Sequence, residues 1–248
     1  MSGFWPIFKR ELFAYFVTPL AYVLLVAFTF WQGLHFFLLI RSFVNAPDFS
    51  IDQGPVQAFF GGDVFYYLPL ILVCPAITMR LFAEERQRGT IETLMTAPID
   101  ATGLVAGKFL AALVCYLFLW SPTLILMQIL ARAADVDWHV IAVGYLGVTL
   151  LGASYLAIGT FFSALARSQL VALVVTSVFL LGLFLLGLGE YVLDDGIARA
   201  VCAHVSVWAQ MGEFGRGIID SRRLVFDGVL IALPLILCTK IVASWREQ

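Results

Sequence analysis

A lysine behind two glycines, a few histidines, four thiols and one run of paired carboxylates are the side chains that could do chemistry. Their spacing removes most of it. Gly103-Leu-Val-Ala-Gly107-Lys108-Phe109 has the outline of a phosphate loop, in which backbone amides and a lysine cradle a nucleotide. The glycines are one residue too close, and Phe109 stands where a Ser or Thr would hold magnesium. The chain is therefore expected not to hydrolyse ATP itself and not to be an enzyme. It has no G-x-S-x-G elbow and no H-E-x-x-H pair, the usual signatures of a membrane hydrolase. His35 and His139 each lie near the end of an apolar run and read as interfacial residues rather than metal ligands. Cys74, Cys115 and Cys238 fall inside apolar runs and only Cys202 outside, so these thiols read as small apolar fillers without an external disulfide.

What remains is a polar island, Arg80-Leu-Phe-Ala-Glu84-Glu85-Arg86-Gln-Arg88-Gly89-Thr90-Ile-Glu92-Thr-Leu94-Met-Thr-Ala-Pro98, packed between two segments too apolar for water. It reads as two short helices. Gly89 can take the left-handed conformation that ends the first, Thr90 can cap the second, and Pro98 stops it. Ile91, Leu94 and Met95 stand at helical spacing, which suits insertion into a partner's groove better than catalysis. The bland alternative is a solvated loop between spans.

The elements that hold this island follow from composition. With 61% hydrophobic and 13% charged residues and a mean hydropathy of +0.94, the chain cannot clothe a soluble globule, so the bilayer is its solvent. Net charge of -2 says little about partners, and no nucleic acid is expected. Runs of roughly 20 apolar residues predict six transmembrane helices, at 18–40, 64–80, 104–130, 138–164, 168–189 and 224–243. Pro69, Pro75, Pro122 and Pro234 lie inside these runs and should kink them. The first run is too long for a signal peptide's apolar core, so it should be retained.

Basic residues set the orientation. Nine (Lys9, Arg10, Arg80, Arg86, Arg88, Lys108, Arg167, Lys240, Arg246) fall on the side of the N-terminus, against six (Arg41, Arg132, Arg199, Arg216, Arg222, Arg223) opposite. Both termini and the polar island should then be cytoplasmic. Residues 1–17 read as a separate interfacial helix: Phe4, Phe8 and Leu12 form a stripe, with Lys9, Arg10 and Glu11 on the other side and a break at Thr18-Pro19. Residues 190–223 read as short external helices, with Gly217 suited to a tight bend before the last span. No Asp, Glu or Arg lies deep in a proposed span, so an ion-driven relay has no carboxylate to use. Energy for any transport must come from elsewhere.

The island, with Glu84, Glu85, Gly89, Thr90, Glu92, Leu94 and Pro98 in order, resembles the cytoplasmic signature of type-2 ABC transporter permeases, the ABC-2 family. The likeness continues through Gly107-Lys108-Phe109, Tyr145-Leu-Gly147, Ala157-Ile-Gly159, Ser163-Ala-Leu165, Gln169 and Phe214-Gly-Arg-Gly217-Ile-Ile-Asp220, nearest to the gliding-motility subgroup. It implies a six-span, all-α subunit in a bacterial cytoplasmic membrane. That subunit would pair with a second permease copy, or a related permease, and with two separate ABC ATPase subunits that bind the ATP and magnesium, so no cofactor is expected on this chain. It further implies that Glu84, Glu85, Arg86, Gly89, Thr90, Glu92, Leu94 and Pro98 form the coupling region at 84–98. Arg167, Ser168 and Gln169 would make a lesser second contact, and Phe214, Gly217 and Asp220 would belong to an external cap able to meet an accessory subunit. Two rivals stand beside this reading: a non-transporting anchor that recruits an enzyme, and a stand-alone carrier or channel.

Overall fold

In the computed structural model, which describes residues 3–45, 54–61, 64–89, 100–133, 136–194 and 196–245, all regular structure among the described residues is helical. Helix α1 (Phe4–Val17) ends at Thr18, whose ψ of 140° is extended, and Pro19 then opens α2 (Pro19–Asn45). Residues 4–17 thus form an element separate from α2. A short α3 (Pro55–Phe60) precedes α4 (Val64–Thr78), which contains Pro69 and Pro75. Then come α5 (Ala83–Gln87), α6 (Ala101–Trp120) and α7 (Thr123–Ala133), the last two parted by a turn at Ser121-Pro122. Pro122 therefore breaks its run, whereas Pro234 is carried inside a helix.

The second half holds α8 (Trp138–Leu165), α9 (Gln169–Val192), α10 (Ile197–Val205), α11 (Val207–Gly215) and α12 (Ser221–Ser244). Side-chain caps place four of these starts: Asp137, Ser168, Ser206 and Asp220 each accept a hydrogen bond from a first-turn amide of α8, α9, α11 and α12. Five helical stretches are long and apolar enough to cross a membrane: Pro19–Asn45, Ala101–Arg132, Trp138–Leu165, Gln169–Val192 and Ser221–Ser244. Helix α4 has 15 residues, which at 1.5 Å each is roughly 22 Å, short of a hydrocarbon core of about 30 Å.

The hub of the bundle is α8, which packs against α4, α6, α9, α11 and α12. In lipid, helices gain little by leaving the solvent, so their association rests on close contact between small residues and large ones. Gly152 receives the ring of Tyr116 from α6, and Gly147 receives that of Phe214 from α11. Both rings are buried, and the Tyr116 hydroxyl donates to the Val148 carbonyl at 3.1 Å. A Cβ would come within 2.2 Å of the Tyr116 ring at Gly152 and within 2.6 Å of the Phe214 ring at Gly147. By contrast α2 and α9 leave most of their surface free, as helices facing lipid do.

Two expectations change here. His35 is not interfacial; it is buried against Phe59 and Tyr66, because α2 continues to Asn45 and α3 folds over it. In α1 the packing face is Ile7, Glu11 and Tyr15, spaced by four, rather than the half-buried stripe Phe4, Phe8 and Leu12. Glu11 turns inward because a cation waits there. All four cysteines are free and buried, in keeping with their role as fillers.

Gly152→Leu should overpack α8 against Tyr116 by more than the 1–3 kcal/mol typical of roughly two added methylenes. Size-exclusion chromatography of purified protein should show lost monodisperse yield. Gly182→Ala, at a site where a Cβ meets nothing within 4 Å, should melt at or above the parent temperature.

Candidate functional site

Lys108 sits on α6 with its side chain 1% exposed, and a buried ammonium must find acceptors for all three protons. It finds them on three other segments. Its Nζ donates to the Leu81 carbonyl at 2.6 Å, to Glu85 Oε1 at 2.9 Å and to Glu11 Oε1 at 3.0 Å. The ring of Phe82 lies 5.2 Å from the same nitrogen. Arg10 restores the charge balance, its Nη2 reaching Glu11 Oε1 at 2.6 Å and Glu85 Oε1 at 2.9 Å. Two cations and two carboxylates thus join α1, α5 and α6.

Around this knot α5 is fastened on every side. Glu84 pairs with Arg80 at 3.0 Å and Arg88 at 2.7 Å, and Arg80 Nη1 donates to Thr18 Oγ1 at 3.2 Å, at the break between α1 and α2. The backbone amides of Phe82 and Ala83 donate to Ser163 Oγ at 3.1 and 3.3 Å, tying the start of α5 to the end of α8. Arg86 donates to the Ala164 and Leu165 carbonyls at 3.0 and 3.3 Å, where the negative end of the α8 dipole favours a cation. Its guanidinium also stacks 5.0 Å from the ring of Trp245 at the end of α12. Between α1 and α5 a cavity of about 380 Å³ is lined by three carboxylates and three cations, so water reaches the rim of the network.

These contacts sort the predicted residues. Glu84, Glu85 and Arg86 face inward and hold α5, while Gln87, Arg88 and Gly89 are exposed beyond them. Gly89 has φ of 70°, the left-handed conformation expected of the residue that ends the first short helix. Thr90, Glu92, Leu94 and Pro98 lie outside the described residues. Arg167 is exposed, Ser168 caps α9 and Gln169 opens it; this turn lies beside α5, where Ala83 packs with Ala166 and Ala172. At the opposite end of α8, Phe214 is buried, Gly217 turns with φ of 77°, and Asp220 caps α12. These three shape a structural corner.

Sequence reasoning passed over Lys108, Glu11, Ser163 and Trp245 as members of this site. A signal existed for the first: a lone lysine in an apolar helix needs a carboxylate. Which carboxylate it takes is decided only by packing. A second polar group also went unseen, where Gln210 Nε2 donates to the buried Asp227 at 2.5 Å and Arg223 donates to the Ala203 and His204 carbonyls.

Long apolar helices with a charged knot at one end define a multi-pass α-helical membrane protein. Residues 40–203, about two thirds of the chain, match the family described as "ABC-2 family transporter protein", and the chain belongs to that family. Among curated proteins none matches it.

Lys108→Met removes the buried cation that pairs with both Glu11 and Glu85, and should cost roughly 2–3 kcal/mol in thermal melting. Adding Glu11→Gln should recover part of that loss; additive losses would show that the two side chains do not couple. Burial by itself raises the Glu11 carboxyl, but Lys108 and Arg10 outweigh it and hold it below the ordinary carboxylate value. A carboxylate depressed on folding contributes stability above its unfolded value of about 4.3, and that stability is lost as pH falls through the lower folded value. Melting temperature should therefore drop on acidification below about pH 4, and less steeply in Glu11→Gln.

Proposed function

We propose that the chain is the transmembrane subunit of an ABC-2 exporter, driven by ATP that a separate ATPase subunit hydrolyses. It makes and breaks no covalent bond. In this reading Val64–Thr78 and its flanking turns form the second of six spans, α5 and both termini face the cytoplasm, and α10 and α11 cap the outer side. Two such chains, or this chain and a related one, stand over two ATPase subunits in a bacterial cytoplasmic membrane. The subgroup likeness adds a surface or motility role to the same proposal.

One observation supports it above the others: α5 is bonded at once to α1, α6 and α8 and stacks on Trp245. A solvated loop has no need of such a fastening. A segment that must transmit force does, because a ligand shifts a conformational equilibrium only by what it contacts differently in the two states. Closure of a docked ATPase pushes on residues 87–94, and the inward-facing Glu84, Glu85 and Arg86 pass that displacement to four helices. Spans packed as rigid units then switch between two arrangements rather than deforming gradually.

The complex reconstituted in liposomes should show vanadate-sensitive ATP turnover by a co-purified ATPase. Glu92→Lys, or deletion of Thr90–Leu94, should lower that turnover at least about tenfold, equivalent to ~1.4 kcal/mol of coupling, while the permease remains inserted. Turnover unchanged in both variants would refute docking at this segment. A bound ATPase that the wild-type permease never stimulates would favour the anchor reading.

A further inference from the structure

Gln32 occupies the middle of the 27-residue α2 and is 0% exposed. Neither its amide nitrogen nor its amide oxygen has a hydrogen-bond partner. No second copy of the chain can reach it without movement, since this chain alone already buries it. An amide at the centre of an apolar helix with both ends unbonded is costly, and buried polar side chains almost always find partners. Polar groups at such depth are retained where they serve a passing molecule.

The surroundings say what kind of molecule. Phe28, one turn before Gln32, packs edge-on to Trp120 with centroids 4.9 Å apart. His35, nearly one turn after it, lies 6.0 Å from Tyr66, and the Tyr66 and Trp120 rings are 5.3 Å apart. Gln32 therefore stands inside a frame of rings drawn from α2, α4 and α6. The Tyr66 hydroxyl, also 0% exposed, is a second unbonded polar group in that frame. The buried charged residues among those described are Lys108, Arg223 and Asp227, each bonded elsewhere. Ring faces, an amide and a phenol without a countercharge suit a neutral group bearing hydroxyls or amides.

Resting on the transporter reading above, we propose that Gln32 and Tyr66 form a hydrogen-bonding station for a neutral hydroxyl- or amide-bearing part of the transported molecule. The station is closed in the present arrangement and opens when α2 parts from α4 and α6. Helix α2 is suited to that movement, because only a narrow face of it is buried.

The test uses the full permease–ATPase complex in lipid nanodiscs, with octyl glucoside below its micelle concentration as the hydroxyl probe and N-octanoylglycinamide as the amide probe. One of the two should stimulate wild-type ATP turnover severalfold, and which one names the group recognised. In Gln32→Met and Tyr66→Phe the ratio of stimulated to basal turnover should fall toward one. Gln32→Met should melt no lower than wild type, since it removes a polar group that has no partner in the closed state. Equal stimulation of the variants, stimulation of wild type by neither probe, or a Gln32→Met melting point several degrees lower would each overturn the station. Absence of any ATP turnover by the wild-type complex would instead remove the transporter reading beneath it.

Discussion

A single buried ammonium, that of Lys108, sets the geometry of one end of this membrane protein. Helix α6 is otherwise apolar there, and a charge so placed cannot be left without acceptors. Meeting that demand draws Glu11 from α1, Glu85 from α5 and the Leu81 carbonyl from the turn between α4 and α5 to one point. Arg10 then keeps two carboxylates from repelling each other. Helix α1 lies where it does because one of its carboxylates is held, and α5 is ordered although it has only five residues, too few to be stable alone.

The rest of the bundle answers a different constraint. Lipid gives helices no hydrophobic reason to associate, so α8 packs by shape, with glycines that accept rings from α6 and α11. Such contacts tolerate little deformation, so α8 and its neighbours form a tightly packed unit. Ser163 and the last carbonyls of α8 are where that unit meets α5. Helix α2, by contrast, presents one narrow buried face that carries an unbonded amide among aromatic rings. The molecule thus combines a closely packed centre, a charge-locked short helix at one end and a flank with one narrow buried face.

Much of this was legible before any packing was known. The apolar runs announced the long helices, and the Thr18-Pro19 break and the left-handed Gly89 and Gly217 follow from local backbone rules, whereas Pro122 breaks a run in which only a kink is expected. Two readings failed for a shared reason. Read from its own helix alone, Glu11 falls on the solvent side of α1 and His35 at an interface. Their positions were settled by residues far away in the chain, Lys108 in one case and Phe59 with Tyr66 in the other.

The chain's own order of residues determines that it is an all-helical membrane protein of the ABC-2 family, where its long helices run and where a polar segment interrupts them. Those properties depend on composition and on near neighbours, which a linear text records. Tertiary structure alone decided that Lys108 ties α1, α5 and α6 together, that Glu84, Glu85 and Arg86 hold α5 from within, and that Gln32 is sealed without a bond. Charge pairing and burial are relations between distant segments, and only the folded arrangement brings their members within reach.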